Sequence, residues 1–211
     1  MTAESRSQQA QGSYHGGMAW TPPTGHDLTR APGSLGFVQD FINTAYVGSA
    51  QPIDPLVEPD DARSWLSEAL RMRTETLGPI DSFAIDDRDV ERMRELRATL
   101  RAVVADPGGP SASVGWRGPA VSTSFGAGGR LVLEPQGDGY RRFAGLVAID
   151  VFVSQQAGTW SRLRICRNPR CAVAFYDRSR NASAVWHDAK ICGNAHNLRV
   201  SRARRQSQPT A

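Results

Sequence analysis

Apolar residues recur every three or four positions through most of the first 160 residues, and that spacing predicts a mainly helical body. Leu35, Val38, Phe41, Ile42 and Ala45 share one face of a helix over 34–47, with Ser34 placed to cap it. Three prolines between Gln51 and Pro59 predict a loop. Trp65, Leu66, Ala69 and Leu70 give the buried face of a second helix, from Asp60 or Asp61 to Thr76, stopped by Gly78-Pro79. A third helix over 86–105 turns Val90, Met93, Leu96, Leu100, Val103 and Val104 inward. Arg92, Glu95 and Arg101 fall on its other side, which reads as a solvated face with acids interleaved. A fourth helix over 139–157 buries Phe143, Leu146, Val147, Val151 and Val153, and Asp150 near that face calls for an arginine partner.

The period changes to two between the third and fourth helices. Ala120–Phe125 and Arg130–Pro135 flank Gly126-Ala-Gly-Gly129, which predicts a β-hairpin. That turn lacks the Lys-Ser/Thr end and the following helix of a phosphate cradle, so it reads as a plain turn. Trp160–Ile165 reads as a short strand with Trp160, Leu163 and Ile165 inward, and Asn194–Arg205 as a last helix. The fold class is α+β, mainly helical. The expected divisions are a tail over 1–30, a helical domain with one hairpin over 31–158, a small module over 159–205 and a tail over 206–211. No Gly/Ser linker separates Gly158 from Cys166, so the two ordered parts should pack against each other. Residues 1–30 show no periodicity, and Trp20 is the one residue there suited to packing on the body.

Composition changes this picture little, and charge placement changes it more. A chain of 211 residues with 40% apolar and 22% charged residues fits a soluble protein of one domain plus a module. No apolar run approaches a membrane span, and no signal-peptide core is visible, which points to the cytoplasm and to no membrane partner. Residues 160–211 carry eleven basic and two acidic side chains, while residues 1–159 carry fourteen and nineteen. A strongly basic end on a mildly acidic body suggests a polyanion partner for that end.

The same end holds all three cysteines, in the pattern Cys166-x4-Cys171-x15-His187-x4-Cys192. Thiolates and imidazole suit a tetrahedral Zn2+, and four protein ligands make such a site structural. Asn168-Pro169 supplies a turn between the first two ligands. The second pair, five residues apart, needs a loop or a helix entrance, and Gly193 lets the chain bend there. His196 is an alternative fourth ligand; the matching x4 spacing favours His187. Phe175 and Tyr176 are suited to covering the metal, with base stacking as the competing role.

The run Trp160-Ser-Arg-Leu-Arg-Ile-Cys166-Arg-Asn-Pro-Arg-Cys171-Ala-Val-Ala-Phe175-Tyr176-Asp177, with Trp186-His187 and Cys192-Gly193-Asn194, resembles the CGNR zinc finger family. Members of that family join the finger to an N-terminal ABATE-type domain and are described as candidate stress-induced transcription regulators. The chain departs from the pattern twice. His187 stands where the family has a cysteine, which keeps a zinc-competent ligand. Ala195 stands where the family's name-giving motif ends in arginine, so any nucleic-acid contact made there must come from other residues. Val38-Gln-Asp40-Phe41-Ile-Asn43-Thr44 is similar to the opening of the ABATE-type domain. Asp40 and Asn43 are candidates for a ligand pocket or a contact with the finger; the competing reading, which the residues favour, is that they anchor neighbouring chain ends.

Together these features predict a zinc-dependent DNA-binding transcription regulator without enzymatic activity. Arg178, Arg180, Lys190, Arg199, Arg202, Arg204 and Arg205 are the candidate phosphate contacts, and Asn194 and Asn197 the candidate base readers. The helical domain would sense a small-molecule effector or form a homodimer. The alternative is a zinc-stabilised protein- or RNA-binding adaptor. No nucleotide, hydrolase or metalloprotease signature is present.

Overall fold

The computed structural model describes residues 28–45, 54–107 and 116–206. Its elements run α1 (Leu35–Ile42), α2 (Pro59–Leu77), α3 (Asp87–Ala105), β1 (Val121–Phe125), β2 (Leu131–Pro135), α4 (Gly139–Gln156), β3 (Leu163–Ile165), β4 (Ala174–Tyr176) and α5 (Asn194–Gln206). The fold is α+β and mainly helical. Two antiparallel hairpins supply the strands: β1 pairs with β2, and β3 with β4.

Local chemistry accounts for the helix ends. Pro59, expected in the loop, is the first residue of α2, where its missing N–H costs nothing, and Asp60 and Asp61 follow in the first turn. A reciprocal capping box opens α3: Asp86 Oδ1 accepts from Asp89 N at 2.8 Å, and Asp89 Oδ2 from Asp86 N at 3.1 Å. Ser34 does not cap α1; its hydroxyl donates to the Asp150 carbonyl on α4 instead.

Every residue of α1 is buried. On one side Phe37 and Phe41 meet Trp65 of α2 and Phe143 of α4, with Phe41 and Phe143 edge to face at 4.8 Å. Val90, Met93 and Leu96 of α3 complete that cluster. On the other side Leu35, Val38 and Ile42 join Val104, Leu163 and Ala174 in a second cluster, with Trp160, Ile165 and Tyr176 packed around it. The β3–β4 hairpin is therefore a wall of the body's core. Val153 departs from expectation and is exposed, because with Phe152 it lies on the outward face of α4, whereas Asp150 and Ser154 are buried.

Polar groups hold the seam. Asn43, 1% exposed, donates from Nδ2 to the Ala174 carbonyl at 2.9 Å and accepts from Ala174 N at 2.8 Å. Gln39 donates to the same carbonyl and accepts from Ala31 N. Asp40 pairs with Arg30 at 2.8 Å. These bonds make Asp40 and Asn43 anchors between chain segments, and they bring Arg30 into the packed structure although residues 1–30 read as a tail. Residues 1–27, with Trp20, and residues 207–211 lie outside the described part.

Of the residues expected on the solvated side of α3, Arg92 and Glu95 are exposed, but Arg101 is half-buried. Arg94, Arg97 and Arg101 recur at helical spacing and reach carbonyls and a carboxylate, the first two within the body and Arg101 across the seam. Arg94 donates to the Leu56 carbonyl, and Arg97 binds both Asp54 oxygens at 2.7 Å and Thr44 at 2.8 Å. Arg101 donates to the carbonyls of Ile42 and Ala172, satisfying one of the orphan acceptors at the end of α1. Charge alternation along a helix cannot reveal such carbonyl acceptors.

Arg73 and Asp150 form a bidentate pair with bonds of 2.8 and 2.7 Å, and Asp150 is 1% exposed. Asp150→Ala leaves a buried guanidinium unpaired and should destabilise the fold by about 3–5 kcal/mol; urea unfolding measures this, and the double change Arg73→Met/Asp150→Leu should cost less. Asp40 gives a pH signature. Burial, opposed by Arg30, raises its pKa from 3.8 to about 6. Between those values the folded state holds the proton more tightly, so Asp40 favours folding most below about pH 4 and loses that contribution as pH rises through 6. The stability of the wild type relative to Asp40→Asn should therefore fall across that interval in paired thermal melts.

Candidate metal centre and basic helix

Three short segments converge below the seam. In the first, a turn over Pro169–Cys171 folds back on Asn168, whose carbonyl accepts from Cys171 N at 2.8 Å and Ala172 N at 2.9 Å. In the second, Cys166 N donates to the Val173 carbonyl, which sets Cys166 and Cys171 side by side. The third is a single π-helical turn over Ala189–Gly193, opened by Asp188 accepting from Ile191 N. Cys192 lies in this turn and His187 two residues before it, so the second ligand pair sits at a helix entrance. Gly193 faces Trp186 so closely that a Cβ would lie 3.3 Å from the indole.

The four donor atoms of Cys166, Cys171, His187 and Cys192 lie within 4.8 Å of one another. His187 Nδ1 is 3.3 Å from Cys171 Sγ and 3.6 Å from Cys192 Sγ. A tetrahedron with Zn–S near 2.3 Å and Zn–N near 2.0 Å has edges of roughly 3.5–3.8 Å. Without a cation the three thiols do not all ionise. A hydrogen bond from Cys171 lowers the Cys166 pKa to about 3, the same bond raises Cys171, and burial raises Cys192. Three thiolates coexist here only if a cation binds them. The donor set fits one structural zinc ion, and its four protein ligands close the coordination sphere. His196 is not part of the cluster; its ring lies 5.0 Å from that of Trp186.

Asn168 is a supporting residue that the spacing did not expose. It is buried, donates from Nδ2 to Cys192 Sγ at 3.4 Å, and accepts on Oδ1 from Arg170 N at 3.2 Å and Arg199 Nη2 at 2.8 Å. Phe175 and Val173 pack on the cysteines. Tyr176 points the other way, into the seam, because neighbouring residues of β4 face opposite sides. Leu28 also packs against the metal cluster.

Asp177 orders the loop between the two ligand pairs. Burial works against its charge, yet bonds from Ser179 and Ala184 and the charge of Arg164 outweigh it, and its pKa is lowered. Arg162 and Arg164 donate to carbonyls of this same loop, so their charge serves the module itself.

Helix α5 leaves the metal centre with no buried residue. Its period separates the candidate nucleic-acid residues. Asn194, Asn197 and Arg205 fall on one face and are exposed, with Arg202 and Arg204 exposed at its flanks. Ala195 and Arg199 share the other face and are half-buried. Arg199 is thus directed at Asn168 rather than outward. Arg178, Arg180 and Lys190 are exposed around the centre, as are Arg167 and Arg170, which sequence reasoning did not single out. Among the described residues no helix is long and apolar enough to cross a membrane.

Removing the Asn168 side chain tests its support of the metal. Asn168→Ala should weaken zinc binding by about 10–100-fold in a chelator competition, with the helical signal of the body retained.

Residues 162–205 match the CGNR zinc finger family. Residues 36–144 match the ABATE family, whose description reads "putative stress-induced transcription regulator". No curated protein matches the chain. The second match covers more than half of the residues, and the chain belongs to the ABATE family, with a CGNR zinc finger following.

Proposed function

We propose that this ABATE-family chain is a DNA-binding transcription regulator in which zinc holds α5 for insertion against DNA, while the helical body senses an effector or pairs two copies. The observation that carries the reading is α5 itself: thirteen residues with none buried, rooted in a metal-fixed turn. A helix of that length is marginal in water alone, so the anchored base and a partner on the outward face must supply what burial does not.

The outward face has the chemistry for the task. Asn194 and Asn197 carry the paired donor and acceptor that match adenine in a major groove. Arg202, Arg204, Arg205, Lys190, Arg178 and Arg180 offer salt-sensitive phosphate contacts around it. Arg199 acts indirectly, by holding Asn168 against the metal centre. Ile191, Leu198 and Val200 are exposed among these charges and favour a second reading, a protein- or RNA-binding adaptor on the same scaffold.

Salt titration of duplex binding separates the roles. For the zinc-loaded chain, Arg205→Ala should lower the salt slope by about one and weaken all sequences alike. Asn197→Ala should leave the slope unchanged and reduce discrimination between sequences by about 1–3 kcal/mol. Binding that ignores both salt and Arg205 would transfer the surface to a protein partner.

A further inference from the structure

Most arginines of the helical body have a carboxylate. Arg30, Arg73 and Arg97 pair with buried or half-buried acids, and Arg63, Arg71 and Arg142 pair on the surface. Arg92, Arg117 and Arg141, like Arg88, Arg101 and Arg130, make no such pair among the described residues, and these three line one cleft of about 390 Å3. Each comes from a different segment: Arg92 from α3, Arg117 from the chain leading into β1, and Arg141 from the first turn of α4. Gln136 and Tyr140 share the wall, and no carboxylate belongs to it. Of the nearby acids, Asp89 is engaged in the capping box of α3, and Asp138 is exposed at the start of α4 beside Gly137.

Gathering three like charges around a concave surface is unfavourable until an anion enters. The guanidinium of Arg92 lies 4.0 Å from the centre of the Tyr140 ring, a contact that orients it and leaves its N–H donors for a ligand. Gly137, at φ 81°, lets the chain pass tightly under Arg141; a Cβ there would lie 3.3 Å from that of Arg141. The cleft is of metabolite size. We propose that it is an effector site of the helical body and takes a small, multiply charged oxyanion, a phosphate monoester or a polycarboxylate. The site extends the sensing half of the proposed function and does not depend on DNA binding. Helix α3 is common to the cleft, through Arg92, and to the metal module, through the bond from Arg101 to Ala172.

Trp116 lies beside the site: its ring comes within 2.9 Å of where a Cβ on Gly118, a cleft residue, would be. Fluorotryptophan-labelled, zinc-loaded protein would be titrated with inorganic phosphate and with citrate, against sodium chloride of equal ionic strength, and followed by fluorine NMR. Trp116→Phe assigns the reporter, and Trp186 reports on the metal module. The expected result is a saturable shift of the Trp116 resonance by either anion, with Trp186 unmoved. Arg92→Gln, Arg117→Ala and Arg141→Gln should each weaken it roughly tenfold, with helical content unchanged. A response to phosphate alone identifies a phosphate ester, and to citrate alone a polycarboxylate. A Trp116 resonance that follows ionic strength only, that responds equally in all three variants, or that moves only on addition of duplex DNA would overturn the proposal.

Discussion

Helix α1 has no solvent-facing side, and the rest of the architecture follows from covering it. Its aromatic face needs α2, α3 and α4, which close around Phe37 and Phe41. Its opposite face needs another wall, and β3–β4 provides it through Leu163 and Ala174. A buried helix also brings polar atoms inside, and each must find a partner. Gln39 and Asn43 find theirs on the backbone of β4, while Arg101 reaches the last carbonyl turn of α1. The zinc module is therefore not an appendage. Its first hairpin belongs to the same core as the helices, and Ala172, at φ 50°, is held in place by Arg101 from α3.

The metal centre lies on the far side of that hairpin. Alternation along β4 divides the labour: Ala174 and Tyr176 face the helices, Val173 and Phe175 face the cysteines. A module this small has little apolar surface of its own, so zinc coordination and the shared wall replace a private core. The consequence is a stiff base from which α5 departs. Asn168 ties that base together, touching Cys192, the turn between the first ligands, and Arg199 one helical turn beyond Ala195.

Much of this was legible in the residues. Helical period located all four body helices, although α1 stops at Ile42 where the period ran on to 47, and the glycine turn located the β1–β2 hairpin. Cysteine spacing led to the four residues that converge on one metal site, because ligand chemistry restricts spacing so strongly. What stayed hidden depended on long-range partners. Arg101 looks like a surface residue until the Ala172 carbonyl is beside it. Arg199 counts as a phosphate contact by charge, yet its face of α5 turns it toward Asn168. Ser34 is a good cap by type, but the Asp150 carbonyl competes for its hydroxyl. Tyr176 was misplaced because the strand that sets its direction is three residues long and set by pairing with β3. The arginine cleft had no sequence signal at all, since Arg92, Arg117 and Arg141 are scattered over 50 positions of the chain.

The central claim is that zinc-anchored α5 recognises particular DNA sequences. Its most direct test is selection from fragmented genomic DNA by the zinc-loaded chain at near-physiological salt, followed by sequencing, with Cys166→Ser as the parallel sample. The account predicts a few discrete enriched fragments sharing a motif, lost in the Cys166→Ser sample while its body stays helical. Uniform recovery of all fragments, or equal enrichment by both proteins, would contradict it.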